Sequence, residues 1–293
     1  ALSLYMTLAG YAVLVGVPVI SSAWVNLLGF SEVQVGRVAG ADLGGLSVGA
    51  VATSLIISRI SRRQLILIGI LIAVVSNAAC ISITSYEYVL WLRFLAGFGS
   101  GLITATAVSC LGACSKPALA FNAMLFAFAF SQAAEMHFLP MLSMQNIYLT
   151  FIICFLVIIP FVRVIPDLKG KEIMELPTNQ ENDKFRGSSN AVPNYVVWFC
   201  LLAIVITYVN IGAYWTYIEL AAAKDDTDPD WVGNVLTWSS LCSLLGCLFA
   251  TLLSNKFGLL RPLLVTLICQ ASIVGMLAQG ITNVSILVSV FSF

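Results

Sequence analysis

Ser58-Arg59-Ile60-Ser61-Arg62-Arg63 is a short polar turn that separates two apolar stretches of the chain. A second turn of this kind, Asn255-Lys256-Phe257-Gly258 followed by Arg261, lies roughly 200 residues later and again separates two apolar stretches. The residues upstream correspond as well, because Gly36-Arg37-Val38 is matched by Gly233-Asn234-Val235 at the same interval. This long-range repeat predicts two copies of a multi-helix membrane unit joined in tandem.

The composition is that of a membrane protein. Hydrophobic residues make up 60% of the chain and charged residues 10%, compared with about 25% charged residues in soluble domains. Apolar stretches of roughly 20 residues recur along the chain, and each is long enough to cross the ~30 Å hydrocarbon layer of a bilayer. We therefore predict an all-α, polytopic helical membrane protein. The net charge of zero gives no indication of a nucleic-acid partner.

The apolar stretches define a series of spans, numbered here in chain order. They cover residues 4–28, 33–57, 64–84, 88–114, 118–142, 146–165, 194–220, 231–254 and 260–281, and a tenth begins near residue 284. Residues 166–193 are rich in charge, Asn, Ser and Gly, and we interpret them as a flexible tether, with a regulatory role as the alternative. The expected domains are an N-terminal six-helix bundle (1–165), this linker, and an incomplete C-terminal bundle (194–293).

The positive charges predict the orientation. Alternation of the spans places the connections near 57–64, 115, 166–193 and 255–261 on one side of the membrane. Eleven of the 14 Lys and Arg residues fall in these connections: Arg59, Arg62, Arg63, Lys116, Arg163, Lys169, Lys171, Lys184, Arg186, Lys256 and Arg261. Because cytoplasmic loops carry the excess of positive charge, we expect this side to be cytoplasmic and the protein to lie in the plasma (inner) membrane.

Two stretches resemble those of a known family. Residues 54–63 are similar to the G-x-x-x-D-R-x-G-R-R loop that follows the second span in the major facilitator superfamily, with all three arginines retained and serine in place of both glycines and the aspartate. Arg93-Phe94-Leu95-Ala96-Gly97-Phe98-Gly99-Ser100-Gly101 in span four is similar to the R-x-x-x-G-x-G element of that family. With the repeated turn and the central linker, the resemblance covers the whole chain.

This resemblance implies two six-helix bundles related by a pseudo-two-fold axis. It identifies the chain as a C-terminally truncated fragment of a twelve-span member, with about nine and a half spans present and roughly 90 to 120 residues missing. It also implies that Ser58, Arg59, Arg62 and Arg63 form a cytoplasmic gating loop. The aspartate of the family loop helps to hold the two halves together, whereas Ser58 carries no charge, so we expect a weaker or rebuilt contact here.

Asp42 is the first candidate for function, because charged residues at membrane depth are costly. It lies nine residues into span two, about 14 Å deep at 1.5 Å per residue. Its carboxylate would either carry a proton or form a buried polar contact that holds span two against a neighbour, and the sequence does not decide between these. Seven glycines in spans two and four are predicted to allow close helix packing: Gly40, Gly44, Gly45, Gly49, Gly97, Gly99 and Gly101.

Arg93 and Glu135 are the other candidates for proton coupling. A guanidinium in the outer half of span four must find carboxylates, carbonyls or an anionic substrate, and one possible partner of Arg93 is Asp42. The family resemblance favours a role of Arg93 in proton coupling. Glu135, near the outer end of span five, would titrate during transport. His137 lies close to the interface, where the simpler interpretation is a solvated side chain.

Span seven carries the predicted substrate face. Tyr208, Gly212, Trp215 and Glu219 lie on one side of a helix, and the resemblance implies that this span lines the central cavity. An aromatic face that ends in a carboxylate suits a cationic or aromatic organic solute. The alternative is an ordinary aromatic belt at the outer interface.

The sequence predicts a transporter. We find no catalytic or phosphate-cradling motif, so we expect neither an enzyme nor a bound cofactor. The eight cysteines form no C-x-x-C pair and there is one histidine, so no metal site is expected. We predict a monomeric secondary active transporter that moves a small organic solute by alternating access, with the lipid bilayer and protons as its other partners. Facilitated diffusion and antiport remain open, and the alternative is a non-transporting solute sensor or assembly partner of the same fold.

Overall fold

The structure is a computed structural model. It describes residues 1–114, 117–165, 194–224, 228, 231–239, 242–243, 245–246, 260–277, 288 and 290. Within these ranges the regular structure is helical and no strand occurs, which confirms the predicted all-α fold. The described residues include five helices that are long and apolar enough to cross a membrane, or up to six when a bent pair near the N-terminus is taken as one span.

The helices match the predicted spans to within a few residues. Their bounds are Leu2–Val15 and Val17–Leu28 (span one), Glu32–Ile56 (two), Arg62–Ser82 (three), Tyr86–Gly112 (four), Pro117–Phe138 (five), Met144–Leu156 (six), Asn194–Lys224 (seven) and Leu260–Leu277 (nine). Short 3₁₀ turns, Leu139–Met141 and Ile159–Val164, follow spans five and six. Residues 231–239 are helical at the predicted start of span eight.

Span one is broken, which the hydropathy pattern does not predict. Its two helices meet at Gly16 with an angle of 49° between them. Pro18 follows the break, and because proline has no backbone N–H, the carbonyl of Leu14 loses its helical donor. The bend therefore has a cause in the sequence, namely a glycine followed by a proline inside one apolar stretch.

Serine residues start spans two and three. The side chains of Ser31 and Ser61 each accept a hydrogen bond from the backbone of the third residue of the helix, and that residue (Gln34 or Gln64) bonds back to the serine N–H. These capping boxes satisfy backbone donors that a helix start leaves free. In the arginine turn, residues 58–63, the helix cap is thus Ser61, whereas Ser58 is exposed and lies outside both helices.

Spans two and four pack backbone to backbone. A Cβ added to Gly45 would lie 2.1 Å from the carbonyl oxygen of Phe94, and one added to Gly49 would lie 2.3 Å from that of Phe98. From the other side, Gly97 faces the carbonyl of Asp42 at 2.0 Å. Side chains are excluded at this contact, so the two helices approach each other as closely as small-residue interfaces allow.

The other predicted packing glycines divide into two groups. Gly101 faces Leu46 of span two, and Gly99 turns to span three, where an added Cβ would lie 2.6 Å from the carbonyl oxygen of Gly69. Gly40 and Gly44 differ from the prediction, because a Cβ on either would meet no described atom within 4 Å. Residues 40 and 44 point away from the face of span two that carries residues 45 and 49, since each helical residue turns by about 100°.

This difference supplies a matched test of helix packing. Gly49→Ala should destabilise the protein by roughly 1–3 kcal/mol, because the new Cβ collides with backbone of span four that cannot rotate away. Gly44→Ala, on the open face of the same helix, should be neutral or stabilising by up to about 1 kcal/mol. Thermal unfolding in detergent measures both variants. Equal unfolding temperatures would show that the two helices are not held at this contact.

Candidate functional site: a buried ion pair and a hinge-facing carboxylate

Asp42 and Arg93 form a buried ion pair between spans two and four. The Nε of Arg93 donates to Oδ2 of Asp42 at 2.9 Å, and its Nη2 donates to the same oxygen. Asp42 is 3% exposed and Arg93 is 1% exposed, so neither charge is solvated. The pair sits where the glycine contact brings the two helices together, because Gly97 lies one turn after Arg93 and packs on the Asp42 backbone. Of the two predicted roles of Arg93, this is the geometry of an anchor to Asp42.

Three further side chains complete the surroundings of the guanidinium. Its Nη1 donates to Oδ1 of Asn77 on span three at 2.8 Å. Its Cζ lies over the ring of Tyr148 on span six, 5.6 Å from the ring centroid. The hydroxyl of Tyr148 accepts a hydrogen bond of 3.0 Å from the indole Nε1 of Trp24 on span one. One polar network, here called the Arg93 network, therefore joins spans one, two, three, four and six.

Asn77, Tyr148 and Trp24 were not predicted from the sequence. Asn77 had a usable signal, because it is an amide in an otherwise apolar stretch of span three and an unpaired amide at membrane depth is costly. Its amide nitrogen also donates to the carbonyl of Ala73 at 2.7 Å, which fixes its orientation toward Arg93. Tyr148 and Trp24 had no such signal, since aromatic residues near span ends are common in membrane proteins.

The ion pair can respond to a proton. Protonation of Asp42 would neutralise the only charged partner that the described residues offer to Arg93. A buried cation left without its partner costs about 3–5 kcal/mol. The guanidinium would then have to move toward another acceptor or toward water. A proton on Asp42 would thus act by electrostatics on the packing of the five spans in the Arg93 network.

Glu135 lies apart from this network, on span five against the bend of span one. Its Oε1 accepts a hydrogen bond of 3.0 Å from the hydroxyl of Ser131, one turn earlier. Its Oε2 is buried and has no hydrogen-bond partner among the described residues. A Cβ added to Gly16 would lie 2.7 Å from this oxygen, so the carboxylate rests directly on the break. His137, by contrast, is exposed and meets Phe138 edge to face.

The predicted substrate face of span seven is described only in part. The backbone of Asn194–Lys224 is helical, and Trp215 is half-buried with its ring edge-on to Tyr214. The side chains of Tyr208 and Glu219 lie outside the described residues. A groove of about 350 Å³ does occur on span seven, where it faces span nine, but other residues line it: Ile206, Thr207, Asn210, Ile211, Leu267, Gln270 and Ala271.

The arginines of the arginine turn differ in burial and in their partners. Arg59 is exposed, whereas Arg62 is 1% exposed. The Nη2 of Arg62 donates to the hydroxyl of Ser109 at 3.2 Å, near the end of span four. Arg63 donates through Nε to the carbonyl of Ile165 at 2.9 Å. Arg62 thus fastens the start of span three to side chains near the end of span four, and Arg63 fastens it to a backbone carbonyl after span six that lacks a helical donor.

Solved structures with the same fold are those of transporters. A structure of a D-xylose–proton symporter matches with a TM-score of 0.72 and 16% identity, over 100% of this chain and 78% of that one. The xylose transporter XylE from E. coli, partially occluded and inward-open, matches with a TM-score of 0.69 and 15% identity, over 100% and 82%. A variant of the nucleoside transporter NupG matches with a TM-score of 0.70 and 12% identity, over 100% and 79%. These identities show a shared fold alone.

Sequence comparison identifies the family. No curated protein sequence matches this chain. The sequence does match the Major Facilitator Superfamily over residues 2–293, which is nearly its whole length, and the fold of its solved neighbours agrees. This family and fold are those of integral membrane transporters that take a small solute, and not of enzymes. The chain therefore belongs to the Major Facilitator Superfamily.

Proposed function

We propose that the protein is a proton-coupled secondary transporter that moves a small organic solute across the membrane by alternating access. The observation that carries this proposal is the buried ion pair between Asp42 and Arg93. A titratable carboxylate within an apolar span is in direct contact with a cation on span four that also meets side chains of spans three and six. Intramembrane carboxylates of this kind mark proton pathways in transporters. One solved neighbour is a D-xylose–proton symporter, and a sugar is a small organic solute of the proposed kind.

The coupling follows from competition for Asp42. A proton and the Arg93 guanidinium cannot both neutralise the carboxylate, so proton binding weakens the contact between spans two and four. The Arg93 network then repacks, and the N-terminal half changes its contacts with the rest of the protein. A solute that binds one arrangement more tightly shifts the same equilibrium, which links its movement to that of the proton.

A contact between the two predicted halves supports alternating access. We call the membrane side opposite the arginine turn the far side. There, span seven packs on the second helix of span one and on the start of span two. The hydroxyl of Tyr217 donates to the carbonyl of Glu32 at 3.4 Å, and Gly36 leaves room for the ring. Ile218 and Leu220 are buried in this part of span seven, whereas Trp198 and Phe199 near its other end are exposed.

This far-side contact can be weakened by one methyl group. A Cβ on Gly36 would lie 1.7 Å from the hydroxyl oxygen of Tyr217, so Gly36→Ala must displace that ring. The reporter is Ser22→Cys, a buried position on span one, labelled by an impermeant thiol reagent added from the far side. We expect its labelling in Gly36→Ala to be about threefold or more higher than in the parent background. Gly40→Ala is the matched control, since a Cβ there would meet no atom of the described residues within 4 Å. Equal labelling of Ser22→Cys in the Gly36→Ala and Gly40→Ala backgrounds would show that Tyr217 does not help to close the far side.

The proposed function is tested by transport in proteoliposomes. Full-length protein is reconstituted, and uptake of candidate sugars, nucleosides and organic cations is followed with and without an imposed pH gradient. We expect accumulation above equilibrium only when the gradient is inward and acidic outside, and its collapse when a protonophore is added. Uptake that equilibrates at the same rate under every gradient would show facilitated diffusion and would overturn proton coupling. Stimulation by an opposite gradient would indicate antiport.

A further inference from the structure

The break in span one is packed against a carboxylate that the Arg93 network does not use. Gly16 has no side chain, and Oε2 of Glu135 occupies the position next to its backbone. Leu139, which follows span five, covers the same spot, with its Cδ1 3.2 Å from an added Cβ. The contact therefore joins span five to the hinge-like point of span one, where Pro18 removes a backbone hydrogen bond.

The carboxylate has little to stabilise a negative charge. Ser131 donates to one oxygen, and the other is buried without a hydrogen bond from any described residue. Span one contains no Asp, Glu, Lys or Arg. Arg163 is at the opposite end of span six, and the Arg93 guanidinium of span four is occupied by Asp42. The Cys154 thiol of span six lies close enough to interact with this carboxylate, and the Cys154 carbonyl accepts a hydrogen bond of 3.0 Å from the hydroxyl of Tyr5 on span one.

The neutral and ionised forms of the Glu135 carboxyl group differ in how well they suit the contact with the bend of span one. A neutral carboxylic acid can remain in an apolar contact at small cost, since it carries no charge and its one proton can find an acceptor locally. An ionised carboxylate in the same place needs donors, and among the residues that the structure describes only the Ser131 hydroxyl donates to it. It would have to recruit water to Oε2, and because this oxygen is buried, the contact between span five and the bend of span one must loosen to admit that water.

We propose that Glu135 is a second proton-binding site, and that its protonation holds span five against the bend of span one. Protonation forms an O–H bond at Oε2 with a proton delivered by water, and the reverse step returns that proton to water, so no other reactant is needed. When the proton leaves, water enters the contact and the two helices of span one are free to change their angle. This inference rests on the proposed function for its place in transport, but the packing change itself can be measured without transport.

The test compares Glu135→Gln with the parent in the full-length protein. Hydrogen–deuterium exchange of residues 12–20, corrected for the pH dependence of the chemical rate, reports the packing of the bend. In the parent we expect this region to exchange about tenfold faster at high pH than at low pH. Glu135→Gln imitates the neutral acid, so its exchange should stay slow throughout. Infrared spectra should also lose a protonated carboxylic acid band in this variant, which a purely structural role would not require.

Three controls make the outcomes distinct. Ser131→Ala removes the one donor that the described part of the chain gives to the carboxylate, and it should keep the pH response while moving its midpoint. Asp42→Asn should keep the Glu135 response, so failure of the proposed transport mechanism and failure of this inference are separable. The same hydrogen–deuterium exchange, measured with and without Na⁺ at constant pH, tests whether Glu135 responds to Na⁺ instead of a proton. A response to Na⁺ and not to pH, an unchanged infrared band in Glu135→Gln, or a pH response that survives in that variant would each overturn the proposal.

Discussion

Asp42→Asn is expected to abolish solute accumulation driven by a pH gradient while solute exchange at equal pH continues. Asparagine resembles a protonated aspartate in shape and can still accept a hydrogen bond from Arg93, but it cannot release or take up a proton. We expect the gradient-driven accumulation ratio to fall to unity and counterflow to remain within about tenfold of the parent. Both are measured with radiolabelled solute in proteoliposomes that contain matched amounts of folded protein.

A second acidic residue gives the control for this experiment. Glu87 is exposed at the start of span four, on the same helix as Arg93. Glu87→Gln removes the same charge without touching the Arg93 network, so it should transport like the parent. If Asp42→Asn also accumulated solute under a pH gradient as the parent does, Asp42 would be a structural contact between spans and proton coupling would reside elsewhere.

Arg93→Gln is expected to destabilise the protein strongly, and the loss should be partly recovered when Asp42 is changed with it. Removing the guanidinium leaves a buried carboxylate without its cation, at a cost of about 3–5 kcal/mol. In the double variant Asp42→Asn with Arg93→Gln, two neutral amides replace two charges, and no charge stays buried alone. We therefore expect the double variant to unfold at a higher denaturant concentration than Arg93→Gln, with a coupling of roughly 1–3 kcal/mol.

Unfolding in mixed detergent micelles measures this double-mutant cycle. Arg37 provides the control, because it is exposed on span two and Arg37→Gln should change the unfolding free energy by less than about 0.5 kcal/mol. Additivity of the Asp42 and Arg93 variants within about 0.5 kcal/mol would contradict a direct interaction. It would also undermine the proposed competition between the proton and Arg93 for Asp42.

Hydropathy and the order of the motifs were enough to predict the fold, but they did not predict how each helix is rotated about its own axis. The apolar stretches predicted the helices because backbone groups in a bilayer must be satisfied within each span. The sequence also offered Asp42 as a partner for Arg93, yet only as one choice among carboxylates, carbonyls and substrate. The glycines show the limit most clearly. Gly44 and Gly45 are adjacent in the sequence, and only Gly45 meets span four.

The functional assignments depended in the same way on contacts between helices. Asn77, Tyr148 and Trp24 lie far apart in the chain and converge on or next to one guanidinium only because five spans are rotated toward it. Glu135 was a candidate from its depth, but its position against Gly16 follows from the bend of span one and the packing of span five.

The sequence by itself determined that this chain is a repeated, multi-span helical membrane protein of the Major Facilitator Superfamily type. The length and hydropathy of a stretch, the charge bias of the loops and short motifs are properties of local sequence, and in a bilayer they are enough to predict the spans and their orientation. The tertiary structure decided which polar groups meet. Those meetings depend on the angle of each helix about its own axis and on close packing at glycines, and apolar side chains facing lipid leave that angle almost free.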